Sequence, residues 1–144
     1  VGAMFKYERE LYAPLIRGAE LESWSLFRGA DGSFGKKPAD ITGITPNGIG
    51  VLLEVKLVKS VVRFPYERLD SHQKAWLAVY CEYYGISLVA TYYQKYNKII
   101  LYKIVDVNFY DLSSYIEMVY NDDKYGKYYS GWNKILQPNT FHCL

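Results

Sequence analysis

The sequence predicts an α/β or α+β protein, a β-sheet with helices packed on it. Three observations point there. Apolar runs of strand length fall at 39–45, 49–58, 86–93 and 99–104. Turn residues punctuate them, most clearly Pro46-Asn47-Gly48. Stretches with helical spacing precede and interrupt them, at 4–19 and 71–84.

The first helix is expected over 4–19, where apolar residues recur at 4, 5, 11, 12, 15 and 16. Pro14 removes a helical hydrogen bond there, so the helix kinks or a second short turn begins. Residues 21–28 alternate like a strand, with Leu21, Ser23, Ser25 and Phe27 on one face and Trp24 and Leu26 on the other. Gly29 to Lys37 is a loop with three glycines and two lysines. The runs 39–45 and 49–58 then form a hairpin. The second is nearly continuous in apolar residues, as in a strand covered on both faces, and only Glu54 and Lys56 interrupt it.

Residues 59–69 read as a basic loop containing Phe64-Pro65. Asp70 or Ser71 caps a second helix running to Tyr84, with Gly85 as its stop. Residues 86–93 and 99–104 are two more strands around a polar turn. After Asp106 the character changes. Asp111-Leu112-Ser113 opens a last helix of about ten residues, and 121–134 is a polar tail rich in Tyr and Gly. The expected organisation is a core over 4–105, with 106–144 a helical, tyrosine-rich extension of the same domain.

A chain of 144 residues is one domain's worth and buries a real core without staples. Half its residues are apolar and 22% charged, which excludes a disordered chain and a coiled coil. Two cysteines make neither a metal cage nor a disulfide framework; Cys81 reads as a core residue and Cys143 as part of a frayed terminus. The lack of cysteine pairing and of a signal peptide favours a reducing, cytoplasmic setting, and Val1-Gly2-Ala3 reads as a cloning scar before Met4. No uncharged stretch reaches the ~20 apolar residues of a membrane helix. The net charge of +2 does not announce a nucleic-acid binder, and 16 tyrosines are an excess.

Three polar residues are out of place. Glu54 and Lys56 stand two apart on an apolar strand, so they project from one face. The hairpin at 46–48 brings Asp40 beside them. The plain reading is a buried ion pair. Against it, buried charge costs several kcal/mol without compensation, and a second carboxylate adds repulsion unless a cation is present. Two hard oxygen ligands with open positions suit Mg²⁺. Glu8 lies on the inward face of the first helix among Met4, Leu11, Tyr12 and Leu15, where a carboxylate either snorkels or has a partner. Glu10 has the more polar surround.

Pro38-Ala39-Asp40, a 13-residue gap and Glu54-Val55-Lys56 resemble the PD-(D/E)XK nuclease motif. Glu8-Arg9-Glu10-Leu11 is similar to the first-helix motif of archaeal Holliday-junction resolvases, and Phe27-Arg28-Gly29-Ala30 with Ser33 and Lys36 to their loop before the catalytic Asp. Phe64-Pro65, Leu69 and His72-Gln73 resemble the Gram-positive bacterial resolvases and their phage relatives. The resemblance covers roughly residues 6–104. Between the second and third strands stands only Pro46-Asn47-Gly48, where the bacterial branch carries a junction-wedging stalk.

The resemblance implies a single-domain, restriction-endonuclease-like α/β fold, with a central mixed sheet of about five strands flanked by helices. It implies metal-assisted phosphodiester hydrolysis leaving 5′-phosphate and 3′-hydroxyl ends. Asp40 and Glu54 would hold Mg²⁺, for which Mn²⁺ substitutes, with the Val55 carbonyl as third ligand. Lys56 would orient or help deprotonate the attacking water, Glu8 would support the metal or a second one, and Gln73 could reach the same patch. The implied partners are a four-way DNA junction and a second copy of the chain, because two strands must be cut symmetrically. The implied setting is a prokaryotic or phage-infected cell. Other nucleases of the superfamily, of restriction or repair type, and a non-catalytic DNA-binding protein keeping the fold are the rival readings.

Charge is unevenly spread: 14 basic and 10 acidic residues in 1–104, against 3 and 5 in 105–144. Arg28, Ser33, Lys36, Lys37, Lys59, Arg63, Arg68 and Lys74 flank the site in sequence and are the expected DNA-backbone contacts. Tyr80, Tyr83 and Tyr84 with Trp76 on the second helix suit core packing or a dimer face, and some tyrosines among Tyr92, Tyr93, Tyr96, Tyr125, Tyr128 and Tyr129 are expected at an interface.

Overall fold

The computed structural model describes residues 3–29, 39–59, 64–106, 108–109 and 114–137. A 3₁₀ turn over Glu8–Leu11 leads into helix α1 (Tyr12–Leu21). Strands β1 (Ser25–Arg28), β2 (Ile41–Ile44) and β3 (Gly50–Val58) follow. A 3₁₀ turn over Tyr66–Arg68 precedes helix α2 (Ser71–Val79), which widens into a π-helical turn at Tyr80–Tyr84. Then come β4 (Gly85–Tyr93), β5 (Lys98–Lys103), β6 (Tyr115–Glu117), β7 (Val119–Asp123), β8 (Gly126–Ser130) and a last 3₁₀ turn, Trp132–Leu136.

The main sheet runs β1-β2-β3-β4-β5-β6, and β7-β8 is a separate hairpin. Every neighbouring pair is antiparallel except β3 and β4, so the sheet is mixed and the protein is α/β. A parallel pair needs a crossover, and α2 supplies it. β3 and β4 are central and buried nearly throughout, which explains their continuous apolar runs. Alternation sorts β3 onto two layers. Val51, Leu53, Val55 and Leu57 pack with Leu11, Leu15, Trp24 and Trp132 on the α1 side. Leu52 packs with Leu69, Leu77 and Val89 on the α2 side, which is therefore the side of Glu54 and Lys56.

Several expectations need correction. The first helix does not span 4–19: α1 begins at Tyr12, which puts Pro14 in the first turn, where amides have no intrahelical partner and a missing N–H costs nothing. The strand expected at 21–28 is only Ser25–Arg28, because Leu21 ends α1 and Ser23 turns the chain with φ of 68°. The helical segment does end at Tyr84 with Gly85 as its cap, as expected; the φ of 168° there is extended, and Gly85 is also the first residue of β4. A side chain there would collide with the Gly50 carbonyl on the paired strand.

The largest correction is C-terminal. The expected helix and helical tail are strands. Tyr115–Glu117 adds a sixth strand beside β5, and 119–130 form the β7–β8 hairpin. The physical signal is period two: Ile116 and Met118 are buried while Glu117 is exposed, and Gly126 takes φ of 91° at the turn. The hairpin lies on α1, where a side chain at Gly18 would strike the Tyr129 backbone. The Glu22 carboxylate then receives the amides of Gly131, Trp132 and Asn133, all at 3.0 Å, and ties the last turn to the end of α1. Among the described residues no helix is long and apolar enough to cross a membrane.

Candidate active site

The site lies where β2 stops short of β3. Ile41 pairs with Leu53, and the next step of that register sets Asp40 opposite Glu54. Beyond it, among the described residues, no strand pairs with the β2 side of β3, and side chains satisfy its backbone. Asp40 Oδ2 accepts the Val55 amide at 2.9 Å. Glu8 Oε1 accepts the Leu57 amide at 3.2 Å. Arg68 donates to the Leu57 carbonyl and, at 3.0 Å, to Glu8 Oε1. A buried backbone group without a partner is costly, so this gap holds Asp40 and Glu8 in place.

On the α2 side, Asp70 caps the helix by accepting the Gln73 amide at 2.8 Å, and Gln73 Oε1 accepts the Asp70 amide in return. This capping box aims Gln73 at β3. Its Nε2 donates to Glu54 Oε1 at 2.8 Å, and its Oε1 lies 3.4 Å from Lys56 Nζ. Asp40, Glu54 and Lys56 are 8, 2 and 7% exposed. Sequence spacing and structure therefore agree on bringing these three together, and Gln73 joins them.

The electrostatics are those of crowded carboxylates. Burial, and then the hydrogen-bonded, charged Asp40 beside it, push the Glu54 carboxyl up to about 9, and Lys56 offsets only part of this. The Asp40–Glu54 pair therefore holds a proton more tightly than a free carboxylate does. Among the described residues Glu54 Oε2 is buried without a hydrogen-bond partner. Tyr12 completes the cluster. Its hydroxyl is hydrogen-bonded to Asp40, and burial, then the charges of Asp40, Glu8 and Glu54, raise its pKa well above the usual phenol range. The Arg28 guanidinium lies over the Tyr12 ring at 4.8 Å.

The donor set fits a hard divalent cation: only oxygens, two adjacent carboxyl groups, and one buried Glu54 oxygen without a hydrogen-bond partner among the described residues. It is a sparse set. Among the described residues no three His, Cys, Asp or Glu side chains gather as a metal cluster, and Glu8 is held on Leu57 and Arg68. The Val55 side chain is in the core on the α1 side, with its amide on Asp40.

The expected DNA contacts separate into groups. Arg28 and Lys59 are exposed near the site. Arg68 is half-exposed and engaged with Glu8 and Leu57, and Lys74 Nζ sits over the Tyr66 ring at 3.8 Å. Ser33, Lys36, Lys37 and Arg63 lie outside the described residues, as does Cys143. Of the tyrosines, Tyr92, Tyr93 and Tyr129 are core residues, while Tyr83, Tyr96 and Tyr125 are exposed. No family model matches the chain, and no curated protein matches its sequence.

Two features escaped the sequence reading. Tyr12 counted as an apolar neighbour of Glu8, although its place four residues on, on the same helical face, was the available signal. The second is a groove of about 730 Å³ beyond Lys56, lined by Lys6, Tyr7 and Arg9 together with Lys59 and Arg68.

Proposed function

We propose that the protein is a divalent-metal-dependent, structure-selective DNA endonuclease of the PD-(D/E)XK type, and that it resolves four-way junctions as a two-fold homodimer. The observation that carries this reading is the buried trio of Asp40, Glu54 and Lys56, crossed by Gln73, with one carboxylate oxygen lacking any donor. Buried charge on a central strand is costly for stability alone, so its presence points to chemistry. Asp40, Glu54 and the Val55 carbonyl would hold Mg²⁺ or Mn²⁺, with Glu8 in support. When bound, the ion supplies Lewis-acid polarisation of the phosphate and a more acidic water.

The chain's own groups do the rest. Glu54 would hold the ion as a carboxylate, its proton passing to solvent. Lys56 Nζ, held near Gln73, orients the attacking water and offsets charge growing on the phosphate. Gln73 fixes the rotamers of both Glu54 and Lys56, and Tyr12 fixes that of Asp40.

The test is a cleavage panel of linear, flapped and four-way DNA, with and without Mg²⁺. Asp40→Asn and Lys56→Ala proteins are expected to bind the junction without cutting it. Undiminished cleavage by either variant overturns the site assignment, and sequence-specific cutting of linear duplex favours a restriction-type enzyme instead. A second reading, a non-catalytic DNA-binding protein, draws on one observation: Asp40 and Glu8 each satisfy a β3 amide and so have a structural task. Calorimetry with Mg²⁺ and Mn²⁺ separates the two, since no metal binding would favour the second.

A further inference from the structure

The groove beyond Lys56 has a composition that catalysis does not explain. Lys6, Arg9, Lys59 and Arg68 line it against one carboxylate, Glu8, which is already paired with Arg68. Tyr12 is part of its wall and links it to Asp40. At its rim Tyr7 is 56% exposed, and the Arg9 guanidinium sits 4.6 Å from its ring centroid. An aromatic ring backed by arginine in a cationic groove is the combination that holds single-stranded nucleic acid: cations follow the phosphates and the ring stacks on a base.

We propose that this groove receives a single-stranded segment of DNA next to the cut phosphate, and that Tyr7 stacks on an unpaired base. The inference rests on the endonuclease reading and adds a source of selectivity to it. Phosphate contacts from Lys6, Arg9 and Lys59 grip any DNA, because every strand offers the same backbone. Stacking on Tyr7 needs a base that has left its helix, which branch points and flaps provide and an intact duplex does not. Tyr7 also stands directly before Glu8, which hydrogen-bonds β3 beside the site, so the stacked base and the cut phosphate have a fixed relation.

The experiment compares the parent with Tyr7→Ala and Tyr7→Phe by fluorescence anisotropy, with Ca²⁺ in place of Mg²⁺ so that DNA is not cut. The probes are oligothymidylate, a flapped duplex and a blunt duplex. Tyr7→Ala is expected to weaken binding of oligothymidylate and flap by roughly tenfold and of blunt duplex by less than about twofold, while Tyr7→Phe binds like the parent. An abasic residue at the unpaired position is expected to erase the difference between parent and Tyr7→Ala. If Tyr7→Ala binds the flap as well as the parent does, or loses all three probes equally, the inference is overturned and the endonuclease reading stands. If the parent binds none of the probes, both fall.

Discussion

Glu54 shows how one side chain sets a property of the whole protein. Its carboxyl titrates near 9 in the native state against 4.5 ordinarily, so between these values the native state holds a proton that the unfolded chain has lost. Stability is full below the lower value, falls as pH rises through the window, and levels off above the upper one, with a slope on the order of 1 kcal/mol per pH unit. Glu54→Gln, which is neutral throughout, is expected to flatten this slope and raise the melting temperature at pH 8 but not at pH 4, as thermal scans across pH would read. Tyr12→Phe keeps the ring and removes the donor to Asp40, at an expected cost of about 1 kcal/mol in urea unfolding. If Tyr12 positions Asp40, cleavage by Tyr12→Phe needs more Mg²⁺ for half-maximal rate, whereas a purely structural loss leaves that requirement alone. The sequence exposed Glu54 and Lys56 because charges two apart stand out on an apolar strand. It hid Tyr12, since nothing local says whether a tyrosine hydroxyl meets water or a carboxylate distant in sequence.

At the scale of elements, what was legible depended on whether a local signal had a local cause. The β2–β3 turn, the Asp70 cap and the extent of β4 were legible because turn residues, a capping side chain and an apolar run each act within a few positions. The C-terminal hairpin was not. Asp111-Leu112-Ser113, which lie outside the described residues, read in sequence as a helix start, while the alternation of Tyr115 to Met118 is short and gains meaning only beside β5. Its docking yields two predictions. Gly18→Ala places a methyl group against the Tyr129 backbone and is expected to destabilise by about 1–3 kcal/mol, read from the urea midpoint. Glu22→Ala leaves three amides of the last turn without their acceptor and is expected to cost about 1–2 kcal/mol, whereas Glu20→Ala, exposed on the same helix, is near neutral.

At the scale of the whole molecule, a short strand beside a long one shapes the candidate site: β3 runs on past β2, and on that flank Asp40 and Glu8 accept β3 amides that no described strand pairs. The length of β3 was legible in its apolar run, 49–58 expected against Gly50–Val58 observed, whereas β2 is shorter than the expected 39–45. One global prediction follows from the site's charge. Mg²⁺ is expected to raise the melting temperature of the parent more at pH 8 than at pH 6, because the ion takes the place of the Glu54 proton, and to leave Asp40→Asn unmoved. The clasp of Glu22 on residues 131–133 has a consequence for how the chain is made. It joins positions 109 to 111 apart, so it closes only once residues 131–133 have emerged from the ribosome. Until then α1 has no cover over the surface that β8 will occupy, while the carboxylate cluster, built from residues 8–73, already has all its parts. A chain cut short before residue 131 therefore lacks the clasp, and one cut before β8 leaves that face of α1 uncovered.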